Sequence, residues 1–271
     1  MSVPRTHPTG SDLRAGWQVW HDAREAELRL PHGWLSLSGL HWIDDVPRTH
    51  GELPGRWWVQ DGRVALADAR RAIACDGTPL DEGRFDPVDG LPGVLVDVGE
   101  RKVEIIRRTD AFALRVRDPH ALTRRAFTGV PTFPVDERWV LDGRFVAYPR
   151  PRALVVDAVV DGLHHYPVSP GEVRFDIDGV EQALLAVPFR GGGLPLHFRD
   201  ATSGATTYGG GRLVRVAEPD PDGHVLVDLN RTINLPCAFT AYATCPLPPA
   251  ENRLTAAVTA GERTPPRPDL G

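Results

Sequence analysis

Groups capable of chemistry concentrate in two stretches of the second half of the chain. The first is "LHFRDATSGATTYGGGR", residues 196–212. Strand alternation from Leu196 puts His197 and Arg199 on one face and Phe198 on the other, after which Asp200 opens a turn. Gly209, Gly210 and Gly211 allow positive φ or a close backbone approach. Arg212 then presents a rigid five-donor fork suited to a carboxylate or phosphate, with Tyr208 as a donor or stacking wall. A second reading keeps these residues structural: the glycines form a bulged turn, and Arg212 pairs with Asp200 or Asp228.

The second stretch is "DLNRTINLPCAFTAYATCPLPPAEN", residues 228–252. Pro236, Pro246, Pro248 and Pro249 remove ladder donors, so the segment must be irregular and held by side-chain to backbone bonds. Asn230, Asn234, Thr240, Thr244 and Asn252 can supply them. Cys237 and Cys245 fit three roles: nucleophile and resolving partner, two thiolate metal ligands, or two small buried apolar groups. Their spacing lacks the short knuckle of structural zinc sites, and no metal is assigned. A catalytic thiol needs a base, which only folding could deliver from His197 or from His41. His41 lies in "GWLSLSGLHWIDD", residues 33–45, framed by aromatic surface that would tune its pKa. A lone histidine in that setting is also what ordinary core packing produces.

These groups need a scaffold, and the strand pattern supplies one. From Ser11 to Leu30 the residues Leu13, Trp17, Trp20 and Leu28 recur at helical spacing, with Asp12 near the positive helix end. Beyond Gly33 short runs of Val, Leu, Phe and Trp alternate with turn residues. Seven Asp-Gly pairs, beginning at Asp61, Asp76, Asp89, Asp142, Asp161, Asp178 and Asp222, mark candidate hairpin tips. Strands therefore recur about every ten residues with no helix long enough for a parallel crossover. The expected fold is mainly β, an antiparallel barrel-like or sandwich domain, with the N-terminal amphipathic helix packed against it. Residues 11–262 read as one β-rich domain between a loose tail at 1–10 and a flexible tail at 263–271.

Composition narrows the function. The 271 residues are 41% apolar and 25% charged, values of a soluble globular protein. Net charge is −5, with Lys102 beside a set of cations otherwise made of arginine, so nucleic acid is not an expected partner. No apolar leader and no long apolar run occur, which points to a cytoplasmic protein without a membrane partner. Three cysteines do not make a disulfide scaffold. Phosphate-loop, zinc-helix and nucleophile-elbow signatures are missing.

The stretches "GWLSLSGLHWI", "DATSGATTYGGGR" and "NLPCAFTAYATCPLPPAENRLTAAVTAGE" together resemble the bacterial and archaeal family called domain of unknown function 1684, over about Trp17 to Glu262. The family has no established reaction. It typically carries a second proline where this chain has Leu235. The resemblance marks Tyr208, Gly209, Gly210, Gly211, Arg212, Asn234, Cys237 and Cys245 as family features.

The residues support a small-molecule enzyme, a hydrolase or other acid/base catalyst, with no cofactor assigned. Arg212 would clamp an anion, His41 or His197 carry a proton, Asp200 orient that histidine, and Cys237 act as nucleophile or polar wall. Tyr208, Gly209, Gly210, Gly211, Asn234 and Cys245 would complete the ligand site. The alternative is a noncatalytic binding protein for an apolar or acidic metabolite. A purely structural module is the third reading, favoured if the three stretches are separate and buried.

Overall fold

The computed structural model describes residues 10–187 and 192–267. The expectations for residues 1–9 and 268–271 lie outside these. The contacts sort into two compact units, each with its own antiparallel sheets and apolar core. The larger unit holds the described parts of Met1–Ala26, Thr128–Ala238 and Thr244–Pro266; the smaller holds Glu27–Phe127, Phe239–Ala243 and Arg267. Among the described residues no helix is long and apolar enough to cross a membrane.

Helix α1 spans Gly10–Leu28. Leu13 and Leu28 are buried, and Trp17 and Trp20 half-buried, as the sequence spacing predicts. Polar contacts hold the helix as well. Trp17 Nε1 donates to Asn230 O at 2.8 Å, Arg24 Nη2 to Asn234 O at 3.0 Å, and Arg24 Nε to Glu262 Oε1 at 3.1 Å.

The smaller unit contains β1 (Leu37–Ile43), β2 (Arg56–Gln60), β3 (Arg63–Ala67), β4 (Ile73–Cys75), β5 (Thr78–Leu80), β6 (Gly83–Phe85), β7 (Val94–Val98), β8 (Arg101–Arg108) and β9 (Ala111–Arg117). One sheet runs β1-β9-β8-β7-β4-β5 and another β2-β3-β6. Both contribute to a core around Trp57, Val64, Leu66, Val103, Ile105 and Leu114. Strands β7, β8 and β9 form a consecutive antiparallel meander.

The larger unit contains β10 (Val140–Ala153), β11 (Val156–Asp157), β12 (His164–His165), β13 (Val168–Ile177), β14 (Val180–Ala186), β15 (Leu194–Phe198), β16 (Arg212–Val216), β17 (His224–Asp228) and β18 (Ile233–Asn234). The sheets β14-β13-β10-β17 and β15-β16-β18 turn Val173, Phe175, Leu184, Leu196, Phe198 and Val214 into one shared core. Among the described residues no sheet closes on itself, so each unit is layered rather than a closed barrel.

Asp-Gly pairs close three two-residue hairpins: Asp61 and Gly62 (φ 52° and 70°), Asp76 and Gly77 (48° and 76°), and Asp178 and Gly179 (53° and 81°). Asp142-Gly143 does not, although the sequence reads as a strand pair there. β10 runs straight through it, pairing with β13 on one side and β17 on the other. A Cβ at Gly143 would stand 3.1 Å from side-chain atoms of both Val225 and Val227, so this glycine serves close packing.

In the smaller unit, an ion cluster crosses β8 and β9. Glu104 accepts from Arg115 Nη2 at 2.9 Å and from Arg117 Nη2 at 2.6 Å, and both guanidinium carbons stand 5.1 Å from the Trp34 ring centroid. Arg117 also donates to the carbonyls of His32 and Gly33, binding the segment before β1 to the sheet. Burial pushes the Glu104 carboxyl upward, but the two arginines overcome it and hold the group at about 2, against an ordinary 4.5. Its contribution, on the order of 3 kcal/mol, is present above pH 4.5 and fades as pH falls toward 2. Urea unfolding of wild type and Glu104→Gln should show this acid-side loss in the wild type alone, together with lower stability of the variant at pH 7.

Candidate functional site

In β16, Arg212, Val214 and Val216 share the face that meets the core, so an arginine enters an apolar interior. Its guanidinium is fully buried and held by protein groups. Nη2 donates to Asp200 Oδ2 at 2.7 Å and to Val258 O at 3.0 Å; Nη1 donates to Ala260 O at 2.6 Å and Glu262 O at 3.0 Å. Nε has no hydrogen-bond partner among the described residues. The structural reading of Arg212 paired with Asp200 therefore holds. The anion-clamp role fails, because the fork is already spent on one carboxylate and three carbonyls.

Asp200 is equally committed. Oδ1 accepts from the Thr202 amide at 2.6 Å and from the Thr202 hydroxyl, which meets Thr207 Oγ1 at 2.8 Å. Asp200 thus orients an arginine and a turn, and its expected role of orienting a histidine is corrected. The glycines do what their type suggests at one position above all. Gly211 has φ 92°, and a Cβ there would stand 2.5 Å from Pro248 Cγ and 2.8 Å from Phe198 O. Gly210 lies under the half-buried Tyr208 ring, and Gly209 passes close to Gly204.

His197 lies on β15 beside Leu196 and Phe198 but on the opposite face, and is buried. Burial, helped by the nearby Arg199 charge and opposed by a hydrogen bond with the Gly210 backbone, pushes its pKa down to about 3. Nε2 has no hydrogen-bond partner among the described residues. His41 belongs to the smaller unit, half-buried on β1, whereas His197, Arg212 and Cys237 belong to the larger. Its ring lies 6.0 Å from that of His50, and the backbones of Gly39 and Gly51 crowd it. Burial lowers its pKa.

Cys237 and Cys245 are buried, and the Cys237 amide donates to Cys245 Sγ at 3.4 Å. Asn234 is buried too: its amide donates to Glu262 Oε2 at 2.6 Å, its Nδ2 donates to Arg263 O at 2.8 Å, and Oδ1 lacks a partner among the described residues. The amides act as the structural reading expects. Asn252 joins β14 to β15 by donating to Leu185 O and His197 O while accepting from the Leu185 amide. Asn230 exchanges bonds with both backbone groups of Asp136.

Sequence reasoning missed Glu262 and Arg24. Glu262 is fully buried and joins α1, β18 and the Arg212 cluster. Order also continues beyond it, as Arg263 N donates to Pro131 O and Thr264 N to Thr206 O, so the flexible tail does not begin at 263. The available signal was Arg24, a cation on the same helical stripe as Trp17 and Trp20. Among the described residues no three His, Cys, Asp or Glu side chains converge so as to hold a metal ion.

Residues 125–263 match the family described as protein of unknown function, DUF1684. The chain belongs to this family. The match takes in the Tyr208 to Arg212 turn and the Asn234 to Cys245 loop, while "GWLSLSGLHWI" lies outside it. A solution NMR structure of an uncharacterised protein from Haloarcula marismortui is 32% identical, over 52% of this chain and 79% of that one, with a TM-score of 0.43. No curated protein matches.

Because unfolded His197 binds a proton near 6.5 and folded His197 only near 3, stability falls as pH drops from 6.5 toward 3, by up to about 1.4 kcal/mol per pH unit. His197→Gln should lose less stability than wild type between pH 7 and pH 5, by about 2 kcal/mol in urea unfolding. An identical loss in both proteins would mean that folded His197 titrates normally.

Proposed function

We propose that this DUF1684 protein binds a small, mostly apolar molecule without converting it, and that the His197 imidazole makes the polar contact. The observation that carries this reading is a buried, neutral ring whose Nε2 has no hydrogen-bond partner among the described residues. Leu184, Leu196 and Phe198 fill the core, so Leu185 and His197 each turn away from it. Leu185 joins Leu154 and Val156, with Tyr148 and Val187 alongside, and Asn252 ties the Leu185 and His197 backbones together. A neutral imidazole offers one N–H or one lone pair, which suits a hydroxyl or carbonyl on an apolar body.

The hydrolytic reading finds less support. It calls for an anion-binding guanidinium and a carboxylate-oriented histidine, whereas Arg212 and Asp200 bind each other. An acidic ligand loses its clamp for the same reason. Medium-chain alcohols and ketones are the probes of choice. At a hundredfold excess over Kd, binding should add about 2.7 kcal/mol and raise Tm by about 5–10 °C, leaving the probe chemically unchanged. His197→Leu should abolish the shift. Turnover of a probe ester, or an undiminished shift in His197→Leu, would contradict the proposal.

A further inference from the structure

The cysteine pair carries an inference independent of ligand binding. None of the three cysteines is bridged, yet Cys245 Sγ sits 3.4 Å from the Cys237 amide nitrogen. Given the N–Cα bond, this sulfur lies within about 5 Å of the Cys237 Cα, which brings the two residues near enough for their thiols to approach. Both ends of the intervening segment are held. Cys237 sits in the short turn Pro236–Ala238, whose Ala238 N donates to Leu235 O at 2.9 Å. Cys245 O accepts from Val159 N at 3.0 Å, Pro246 pairs with Ala158, and Leu247 N donates to Asp157 O at 2.7 Å. The thiols also flank a boundary in the fold: the chain leaves the larger unit after Ala238, contributes Phe239–Ala243 to the smaller unit, and rejoins the larger at Thr244.

We infer that Cys237 and Cys245 form a reversible disulfide when the protein meets hydrogen peroxide, a modification that ties the base of the 239–243 segment. Cys245 is the more accessible of the two, at 8% against 4% relative exposure. The amide N–H aimed at its sulfur favours the charge that develops there as the proton leaves. Cys245 Sγ attacks one peroxide oxygen and the O–O bond breaks; hydroxide leaves, takes a proton and becomes water. The resulting sulfenic acid is then attacked by Cys237 Sγ, the S–O bond breaks, and hydroxide leaves as water with the Cys237 thiol proton. Two sulfurs are oxidised by two electrons in all, and one peroxide is reduced to two waters.

The test uses full-length C75S protein, which keeps both thiols of the pair. Brief exposure to hydrogen peroxide should lower the intact mass by two hydrogens, remove both titratable thiols under denaturing conditions, and yield a peptide joining Cys237 to Cys245. Closing so short a loop should raise Tm by about 5–10 °C, and dithiothreitol should reverse every change. C75S/C245S protein should show no intramolecular loss of hydrogen. Oxygen added to either sulfur without a bridge, a bridge between chains, or unchanged mass would overturn the inference, and in wild type so would a bridge involving Cys75.

Discussion

A guanidinium keeps its charge at any pH at which a protein folds, so burying one obliges the chain to bring acceptors to it. Arg212 imposes that obligation on the larger unit. Asp200 supplies the countercharge, and Val258, Ala260 and Glu262 supply carbonyls. These three are alternate residues, and Gly261 between the last two has φ 71°, so the chain bends as it brings their carbonyls to the arginine. The requirement thus holds residues 258–262 against the buried arginine. Glu262, at the end of that segment, then takes Arg24 and the Asn234 amide, so the helix is tied to the same cluster.

This arrangement bears on function through what it uses up. A side chain that answers a buried charge has no capacity left for a ligand. Arg212 and Asp200 leave the pool of functional groups on this ground, and the glycines beside them explain themselves by close approach to Pro248 and Phe198. His197 differs in being a neutral buried ring; its Nε2, like Arg212 Nε and Asn234 Oδ1, has no hydrogen-bond partner among the described residues. Of the DUF1684 features, Arg212 and Asn234 serve a structural lock, while His197, which is not among them, is the group on which the proposed binding reading rests.

Local patterns were legible in the sequence and long-range ones were not. The α1 stripe, the β7 to β9 meander and three Asp-Gly hairpins depend on periodicity within a few residues. β10 was misread as two strands because Asp142-Gly143 looks like a turn, while its true cause, the valines of β17, lies 82 or more residues away. The Arg212–Asp200 pair was one of two readings, since the side chains announce a charge match. The remaining acceptors are backbone carbonyls, which leave no mark in a sequence. Nor did local composition reveal that His41 would meet His50, or that Phe239–Ala243 would group with the smaller unit.

The direct measurement is a double-mutant cycle of Arg212→Met and Asp200→Leu, read by urea unfolding at pH 7. Each single change should cost about 3–5 kcal/mol by leaving a buried charge without its partner, and the double variant should cost clearly less than their sum, with coupling of at least about 2 kcal/mol. Additive losses would mean that the two groups do not depend on each other, and that the C-terminal segment is held by something other than the buried arginine.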